Sequence, residues 1–165
     1  MSFRPIILAE DHSKLRRMYA DLLEVSGFKV MLASDGEKAV GLLRKVVNPQ
    51  LIILDVMMPK LSGLEACIQM REMLDHKPCP ILFLTALDDP DDVLNCLRAG
   101  GDDFLMKSAP LDEILARVLL WAQRGASDEA CARRHKAIEA LEQITDQSHA
   151  GEQSSAIAGV DASAK

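Results

Sequence analysis

The chain has 165 residues, of which 48% are hydrophobic and 27% charged, and its formal net charge at pH 7 is −6. This length suits one domain with a buried core, and no apolar run approaches the roughly 18 residues that a membrane-spanning helix needs. The acidic balance argues against nucleic acid as the main ligand, because phosphate backbones are bound by an excess of lysine and arginine.

The N-terminus and the cysteines carry no targeting or metal-binding signal. The apolar run near the start is only four residues long, from Ile6 to Ala9, which is too short for a signal peptide. The four cysteines are widely spaced and form no C-x-x-C pair, so neither a zinc site nor a disulfide framework is predicted. We therefore expect a cytoplasmic protein with no membrane partner.

Two strands and two helices are predicted in the first third of the chain. Residues 5–9 form a short apolar run that stops at the acidic pair Glu10-Asp11, as a buried strand would. A helix should follow, because five apolar residues recur at helical spacing: Leu15, Met18, Tyr19, Leu22 and Leu23. Residues 28–33 are predicted as a second strand. Residues 34–37, Ser-Asp-Gly-Glu, have the spacing of a capping box and predict a helix with the serine as its cap.

The middle of the chain repeats this alternation. Residues 51–54 are an unbroken apolar run ending in Asp55, the pattern of a strand buried on both faces of a parallel sheet. Residues 62–65, Ser-Gly-Leu-Glu, again have capping-box spacing and predict a third helix. One stripe of that helix is predicted to contain Leu64, Cys67, Ile68 and Arg71. Residues 81–84 are predicted as the fourth strand, which ends at Thr85.

Two further helices and one strand complete the pattern. Asp89 followed by Pro90 predicts a capped helix start with proline in the first turn, and this helix should end before Gly100. Residues 104–106 are a short apolar strand that ends at Lys107. A fifth amphipathic helix is predicted from its apolar positions, Leu111, Ile114, Leu115, Val118 and Leu119.

Five strand–helix units in strict alternation predict an α/β fold. We expect a doubly wound, five-stranded parallel sheet with five helices on its two faces and right-handed crossovers. The expected strand order is the flavodoxin-like 2-1-3-4-5, which places a crevice at the carboxyl ends of the first and third strands. The predicted sheet domain covers residues 1–125.

The composition changes after this domain. Residues 126–148 are predicted as an extra C-terminal helix, in which Ala137, Leu141 and Ile144 have coiled-coil spacing. That spacing leaves a homodimer open. Residues 149–165 are rich in serine, alanine and glycine and have no aromatic residue, so a disordered tail is predicted.

Polar residues follow four of the predicted strands: Glu10, Asp11, Asp55, Thr85 and Lys107. Parallel packing would bring these strand ends together. Three carboxylates in one crevice need a positive neighbour, and hard oxygen ligands suit Mg²⁺. Such a site favours transfer of a phosphoryl group to Asp55, with Lys107 and the Thr85 hydroxyl stabilising the phosphoryl oxygens.

Four segments of the chain, in this order, resemble the receiver domain of two-component response regulators: AEDH, LIILDVMMPKLSG, FLTA and AGGDDFLMK. The resemblance extends from about residue 4 to residue 123. It implies that Asp55 is the phosphoacceptor and that Asp11 and the main-chain carbonyl of Met57 bind Mg²⁺, or Mn²⁺ in its place. It also implies that Glu10 assists through water.

The resemblance also assigns the far side of the site. It implies that Thr85, Ala86 and Lys107 bind the phosphoryl group and that Thr85 and Phe104 move together on phosphorylation. The chain departs from the family in two places. Ser108 replaces the proline that usually follows the lysine through a cis peptide bond, and a cis bond before a non-proline residue costs about 3 kcal/mol. Phe104 replaces a frequent tyrosine, so a switch acting through a phenolic hydrogen bond is not expected.

Two apolar residues are expected to control access to the phosphoryl group. Met57 and Leu87 lie two residues beyond Asp55 and Thr85, where side chains can overhang that group. Neither offers a group that could orient an attacking water. A long-lived aspartyl phosphate is therefore predicted.

Two enzyme classes agree less well with this sequence. Residues 100–104, GGDDF, differ by one carboxylate exchange from the hairpin of enzymes that cyclise two GTP molecules, but strict strand–helix alternation favours a helix end and a turn. A flavin protein would want a Ser/Thr/Gly-rich phosphate loop after the first strand, where this chain has Glu10 and Asp11. We therefore expect no enzyme beyond Mg²⁺-dependent self-phosphorylation and self-dephosphorylation.

The resemblance implies a stand-alone receiver that takes its phosphoryl group from a sensor histidine kinase or a histidine phosphotransfer protein. It would signal to a protein target through a changed surface, without binding nucleic acid. The alternatives are a relay intermediate that passes the phosphoryl group on, and a receiver fragment of a longer regulator with an output domain.

Overall fold

The computed structural model describes residues 4–46, 48–74, 79–86, 89–124 and 134–143. Strands and helices alternate along these residues, as β1 (Ile6–Ala9), α1 (Ser13–Val25), β2 (Val30–Ala33), α2 (Gly36–Lys45), β3 (Leu51–Leu54), α3 (Gly63–Leu74), β4 (Ile81–Thr85), α4 (Pro90–Arg98), β5 (Asp103–Met106) and α5 (Leu111–Arg124). A further helix, α6, spans 134–143. The tail predicted at 149–165 lies outside the described residues.

The strands form one parallel sheet in the order β2-β1-β3-β4-β5, which confirms the predicted order. β1 pairs with β3 in a register that sets Ala9 opposite Leu54, and the amide of Asp55 donates to the carbonyl of Ala9 at 2.9 Å. The three inner strands are buried along their whole length. Burial on both faces explains why their sequences are unbroken apolar runs.

Two layers of helices cover the sheet. On one face the core joins Ile7, Ile52 and Phe83 to buried residues of α2, α3 and α4. On the other face it joins Ile6 and Leu8 to buried residues of α1 and α5. Neighbouring strand residues point to opposite faces, so each inner strand supplies both cores.

The helix starts agree with the predicted caps at two of three positions. Asp89 caps α4, and Ser62 exchanges hydrogen bonds with Glu65 at the start of α3. The prediction that Ser34 caps α2 was wrong. Asp35 is the cap, because its carboxylate accepts from the amide of Lys38 at 2.9 Å, while the Ser34 hydroxyl lies 3.1 Å from that carboxylate.

The predicted stripe of α3 coincides only in part with the face that the structure buries. Ile68 is 49% exposed, and the buried residues are Gly63, Ala66, Cys67, Met70 and Leu74. These positions follow helical spacing from Gly63, whose close contact with the preceding loop fixes the rotation of the helix. Hydrophobicity at position 68 did not decide which face was buried.

Helix α6 lies against the turn between α4 and β5. Its half-buried residues, 134, 137, 138, 141 and 142, recur at helical spacing. Arg134 donates to the carbonyl of Gly100 at 3.0 Å and to the carboxylate of Asp102 at 3.2 Å. Near the other end of α6, Glu142 pairs with Arg98 at 2.5 Å. The amphipathic face of α6 is therefore used within this chain.

Within the described part of the chain, no helix combines the length and the apolar character that a bilayer crossing requires.

Candidate functional site

The carboxyl ends of β1, β3 and β5 bring Glu10, Asp55 and Lys107 into contact. The Lys107 ammonium lies 2.8 Å from Oδ2 of Asp55 and 2.7 Å from Oε2 of Glu10. Glu10 and Asp55 are 1% and 3% exposed, so one ammonium is shared between two buried carboxylates. The predicted meeting of these strand ends is observed.

Asp11 completes an acidic cluster with Glu10 and Asp55. Each residue offers a carboxylate oxygen, and these oxygens lie within 4.8 Å of one another. Oε2 of Glu10 is buried and forms no regular hydrogen bond; its partner is the Lys107 ammonium in an ion pair. Asp11 is exposed, which leaves the cluster open on one side. Three adjacent carboxylate oxygens, open to solvent at Asp11, fit a hard divalent cation such as Mg²⁺.

The pKa values of Glu10, Asp55 and Lys107 depend on burial and on the ammonium that the two carboxylates share. Burial raises the pKa of Glu10 and of Asp55 above their ordinary values, although contact with Lys107 acts in the opposite direction for both. Burial alone would lower the pKa of Lys107, but its contacts with the two carboxylates outweigh that effect and raise it. Lys107 therefore stays protonated and favours the ionised form of Asp55.

Thr85 ends β4 beside Lys107. Its side chain is buried, and its carbonyl accepts a hydrogen bond from the amide of Lys107 at 2.7 Å. Ala86 follows in an exposed bend. Thr85 and Ala86 thus lie at the carboxyl end of β4, next to the end of β5, which Lys107 follows directly.

Met57 lies in the loop after β3. Its amide donates to Oδ1 of Asp55 at 3.3 Å, and the residue is 65% exposed. The position matches an overhanging residue at the edge of the site. Leu87, its predicted counterpart, lies outside the described residues. That the carbonyl of Met57 binds a metal stays a prediction.

Phe104 belongs to β5 and faces the α2–α4 layer. It is partly buried, packs against that core and pairs across the strands with Phe83. A role as a switch stays a prediction. The peptide bond between Lys107 and Ser108, just after β5, is trans. No peptide bond within the described ranges is cis.

The segment GGDDF forms a helix end and the start of a parallel strand. Gly100 has φ +107, in the left-handed region where glycine is favoured, and follows α4. The Asp102 side chain is 3% exposed and pairs with Arg71 at 2.6 Å. Asp103 opens β5 and pairs with Arg117 at 2.6 Å. Because β5 pairs with β4 in parallel, these residues do not form the hairpin of a cyclase.

Three residues that shape the site were missed by sequence reasoning. Arg16 donates to the main-chain carbonyls of Glu10 and Asp11 at 2.6 and 3.1 Å. Gly63 packs against the backbone of Asp55. Of these two residues, Gly63 had a sequence signal, because a glycine at a helix start can mark a close backbone approach.

Asp35 is the third missed residue, and it secures the loop after β3. Lys60 of that loop lies 3.3 Å from its carboxylate, and the amide of Gly36 donates to the carbonyl of Leu61 at 3.2 Å. Burial opposes ionisation of Asp35, but hydrogen bonds from Lys38, Ser34 and Lys60 outweigh it and lower its pKa to about 2. The loop that carries Met57 is therefore anchored to the start of α2.

Comparison with known proteins agrees with this geometry. The family model of the response regulator receiver domain matches residues 6–119. Response regulator MprA of Mycobacterium sp. (strain KMS) is 40% identical over 124 residues, which are 75% of this chain and 53% of that protein. A Galdieria sulphuraria protein named "Probable transcriptional regulator ycf27" is 39% identical over 68% of this chain and 43% of its own length. The chain thus spans about half the length of the curated relatives that it matches.

Solved structures give the same result. The receiver domain of the Francisella response regulator 1452 superposes with a TM-score of 0.65 at 29% identity, covering 73% of this chain and 98% of the other. The Vibrio cholerae chemotaxis protein CheY4 superposes with a TM-score of 0.66 at 26% identity, covering 72% and 98%.

Proposed function

Because the chain belongs to the response regulator receiver family, we propose that it accepts a phosphoryl group on Asp55 and signals through a changed protein-binding surface. The donor is a sensor histidine kinase or a histidine phosphotransfer protein. The observation that carries this proposal is the shared contact of Lys107 with Asp55 and Glu10, at 2.8 and 2.7 Å, inside an acidic cluster at the strand ends.

The side chains support a direct transfer. A carboxylate oxygen of Asp55 bonds to phosphorus while the bond from phosphorus to the donor's imidazole nitrogen breaks and leaves its electron pair on that nitrogen. No general base is needed, since the attacking group is an ionised carboxylate, which the Lys107 ion pair favours. As the phosphoryl group arrives, its oxygens become the new partners of the Lys107 ammonium.

Glu10, Asp11 and Asp55 are the residues that would hold Mg²⁺, with Mn²⁺ as an alternative. The ion, when bound, would neutralise charge on the phosphoryl oxygens. Thr85 and Ala86 would bind the oxygens on the β4 side, and Phe104 would respond with Thr85. No catalytic action on other molecules is proposed.

The output is proposed to be contact with another protein through α4, β5 and α5, and no membrane partner is proposed. A second candidate is supported by the relatives, which extend beyond the matched region and include a protein named as a transcriptional regulator. In that case the receiver would control a DNA-binding output in a longer chain. A relay role, in which Asp55 passes its phosphoryl group to another histidine protein, is the remaining alternative.

The test is phosphorylation by a small donor. Incubation with acetyl phosphate and MgCl₂ should add the mass of one phosphoryl group to the intact wild-type protein and none to Asp55→Asn. Asp91→Asn changes an exposed aspartate of α4 and serves as the matched control, with labelling equal to wild type. Labelling of Asp55→Asn, or none of the wild type, would contradict the proposal.

A further inference from the structure

Arg16 joins helix α1 to the backbone of the acidic pair. One guanidinium nitrogen, Nη1, donates to the carbonyl of Glu10 at 2.6 Å and to the carbonyl of Asp11 at 3.1 Å. The Arg16 amide is itself held in the helix by the carbonyl of His12 at 2.9 Å. The side chain therefore connects a fixed helical position to the two residues that end β1.

These contacts act on the peptide groups that orient two of the three clustered carboxylates. Glu10 has other supports, since its amide donates to the carbonyl of Ala33 at 3.1 Å and its carboxylate accepts from the amide of His12 at 3.2 Å. Asp11 is exposed and lies where the chain turns from β1 into α1. The carbonyl contact with Arg16 limits how far its peptide group, and hence its carboxylate, can rotate.

The charge of Arg16 and its hydrogen bonds predict opposite effects on cation affinity. Its guanidinium contacts the main chain of Glu10 and Asp11, so its positive charge would compete with a cation bound to their carboxylates, and charge alone predicts tighter cation binding when it is removed. Its hydrogen bonds hold the carboxylates in one arrangement, so geometry alone predicts weaker binding when it is removed. The sign of the change in Mg²⁺ affinity therefore separates the two effects.

We propose that Arg16 is a positioning residue that holds the Glu10–Asp11 peptides in the arrangement that binds a divalent cation. The proposal rests on the proposed function in that the cation is Mg²⁺. Outer contacts of this kind commonly change metal affinity by about 10–100-fold when they are lost. The two hydrogen bonds share one nitrogen, so a loss near the lower end, about tenfold, is expected here.

The chain offers a closely matched control. Arg17 is the next residue of α1, its side chain is 62% exposed, and it pairs with Asp21 at 2.5 Å within the same helix. Arg17→Ala removes the same charge without touching the acidic pair. Arg16→Lys keeps the charge with a different donor geometry, and Arg16→Gln keeps a donor without the charge.

The experiment is calorimetric titration of the unphosphorylated full chain with MgCl₂, with thermal unfolding in EDTA to compare the folding of each variant. We expect about tenfold weaker binding for Arg16→Ala, an intermediate loss for Arg16→Lys and Arg16→Gln, and wild-type or tighter binding for Arg17→Ala. If Arg16→Ala unfolds in EDTA, the Lys and Gln variants carry the test.

Two results would overturn the inference. Tighter binding by the folded Arg16 variants would show that the residue acts through its charge, and wild-type binding would show that it does not position the acidic pair. Equal losses in the Arg16 and Arg17 variants would show a general effect of altering α1. In both cases a wild type that binds Mg²⁺ and is labelled on Asp55 leaves the proposed function intact, whereas a wild type that binds no Mg²⁺ contradicts both.

Discussion

Gly63 lies against the main-chain carbonyl of Asp55 so closely that a Cβ at position 63 would come within 1.9 Å of that oxygen. The same Cβ would lie 2.8 Å from the carbonyl carbon of Asp55 and 3.0 Å from the Cα of Val56. All three atoms belong to the backbone, so no side chain can rotate away. The start of α3 is therefore packed directly against the segment that carries the proposed phosphoacceptor.

Gly63→Ala should accordingly displace that segment. We expect a loss of about 2–3 kcal/mol in the free energy of unfolding, measured by urea denaturation, and slower labelling by acetyl phosphate. Gly41→Ala is the control, because a Cβ there meets nothing within 4 Å inside α2. That variant should gain up to about 1 kcal/mol from helix propensity. A Gly63→Ala protein with wild-type stability and labelling would show that the close approach can relax without consequence.

Removal of the shared ammonium should make stability more dependent on pH. In Lys107→Gln the carboxylates of Glu10 and Asp55 lose their common counter-charge, and about 3 kcal/mol of stability should be lost at pH 7. Burial already raises both carboxyl pKa values in the folded state. The folded protein therefore holds these protons more tightly than the unfolded chain, and stability falls as pH rises through the window above the ordinary values.

The loss in Lys107→Gln should thus shrink at acidic pH, where both carboxyl groups are protonated. Urea midpoints across that window measure it, with Lys45→Gln, an exposed lysine of α2, as the control. A loss that does not change with pH would mean that packing of the lysine stem, and not its charge, is what the site requires.

Asp35 should determine part of the acid stability. Its pKa is lowered to about 2, so its contribution is fully present above the ordinary value of 3.8 and is lost as pH falls from there through about 2. Asp35→Asn keeps a good helix cap but loses the charged contacts with Lys38 and Lys60. This loss should lower the free energy of unfolding by about 1–2 kcal/mol near pH 7. The difference from wild type should narrow below about pH 4, as followed by urea midpoints.

Glu37→Gln is the comparison for Asp35, since Glu37 is exposed in the same helical turn. The Glu37→Gln variant should still lose stability steeply at acidic pH, as the wild type does. The interpretation fails if Asp35→Asn and Glu37→Gln give parallel acid profiles.

Arg134 should hold α6 on the receiver. Arg134→Ala removes the contacts with Gly100 and Asp102, but Asp102 keeps Arg71 as a partner, so the cost should be modest, about 1 kcal/mol. Hydrogen exchange of the amides of residues 134–143 should accelerate. Lys136→Ala, on the exposed side of α6, should leave exchange unchanged. Equal exchange in the Arg134 variant and the wild type would mean that Arg98–Glu142 and the apolar face suffice.

Met57 should limit hydrolysis of the aspartyl phosphate. Its side chain is largely exposed at the edge of the site and has no group that can orient a water molecule. Met57→Asn supplies such a group and should shorten the phosphate lifetime several-fold, as measured by intact mass after removal of the donor. Met73→Asn, at a methionine of α3 that is 37% exposed, is the control. An unchanged or longer lifetime in Met57→Asn would contradict this role.

Much of the fold could be predicted because its signals are local. The unbroken runs at 51–54 and 81–84 reflect strands buried on both faces, and the Asp89-Pro90 pair marks a helix start. The prediction failed where two local signals competed. Ser34 and Asp35 are both good caps, and the position of the Lys38 amide decided between them. Ile68 is apolar but exposed, because the contact of Gly63 sets the rotation of α3.

The residue types that end each strand, and their order, can be read along the chain, and they predict that these polar residues could meet: Glu10, Asp11, Asp55, Thr85 and Lys107. Three features depend on packing between elements: one ammonium contacts both buried carboxylates, Arg16 contacts the backbone of the acidic pair, and α6 lies on the α4–β5 turn. Spacing along the chain encodes periodic burial. Contacts between carbonyls and side chains of distant elements depend on distances that arise only when the elements pack.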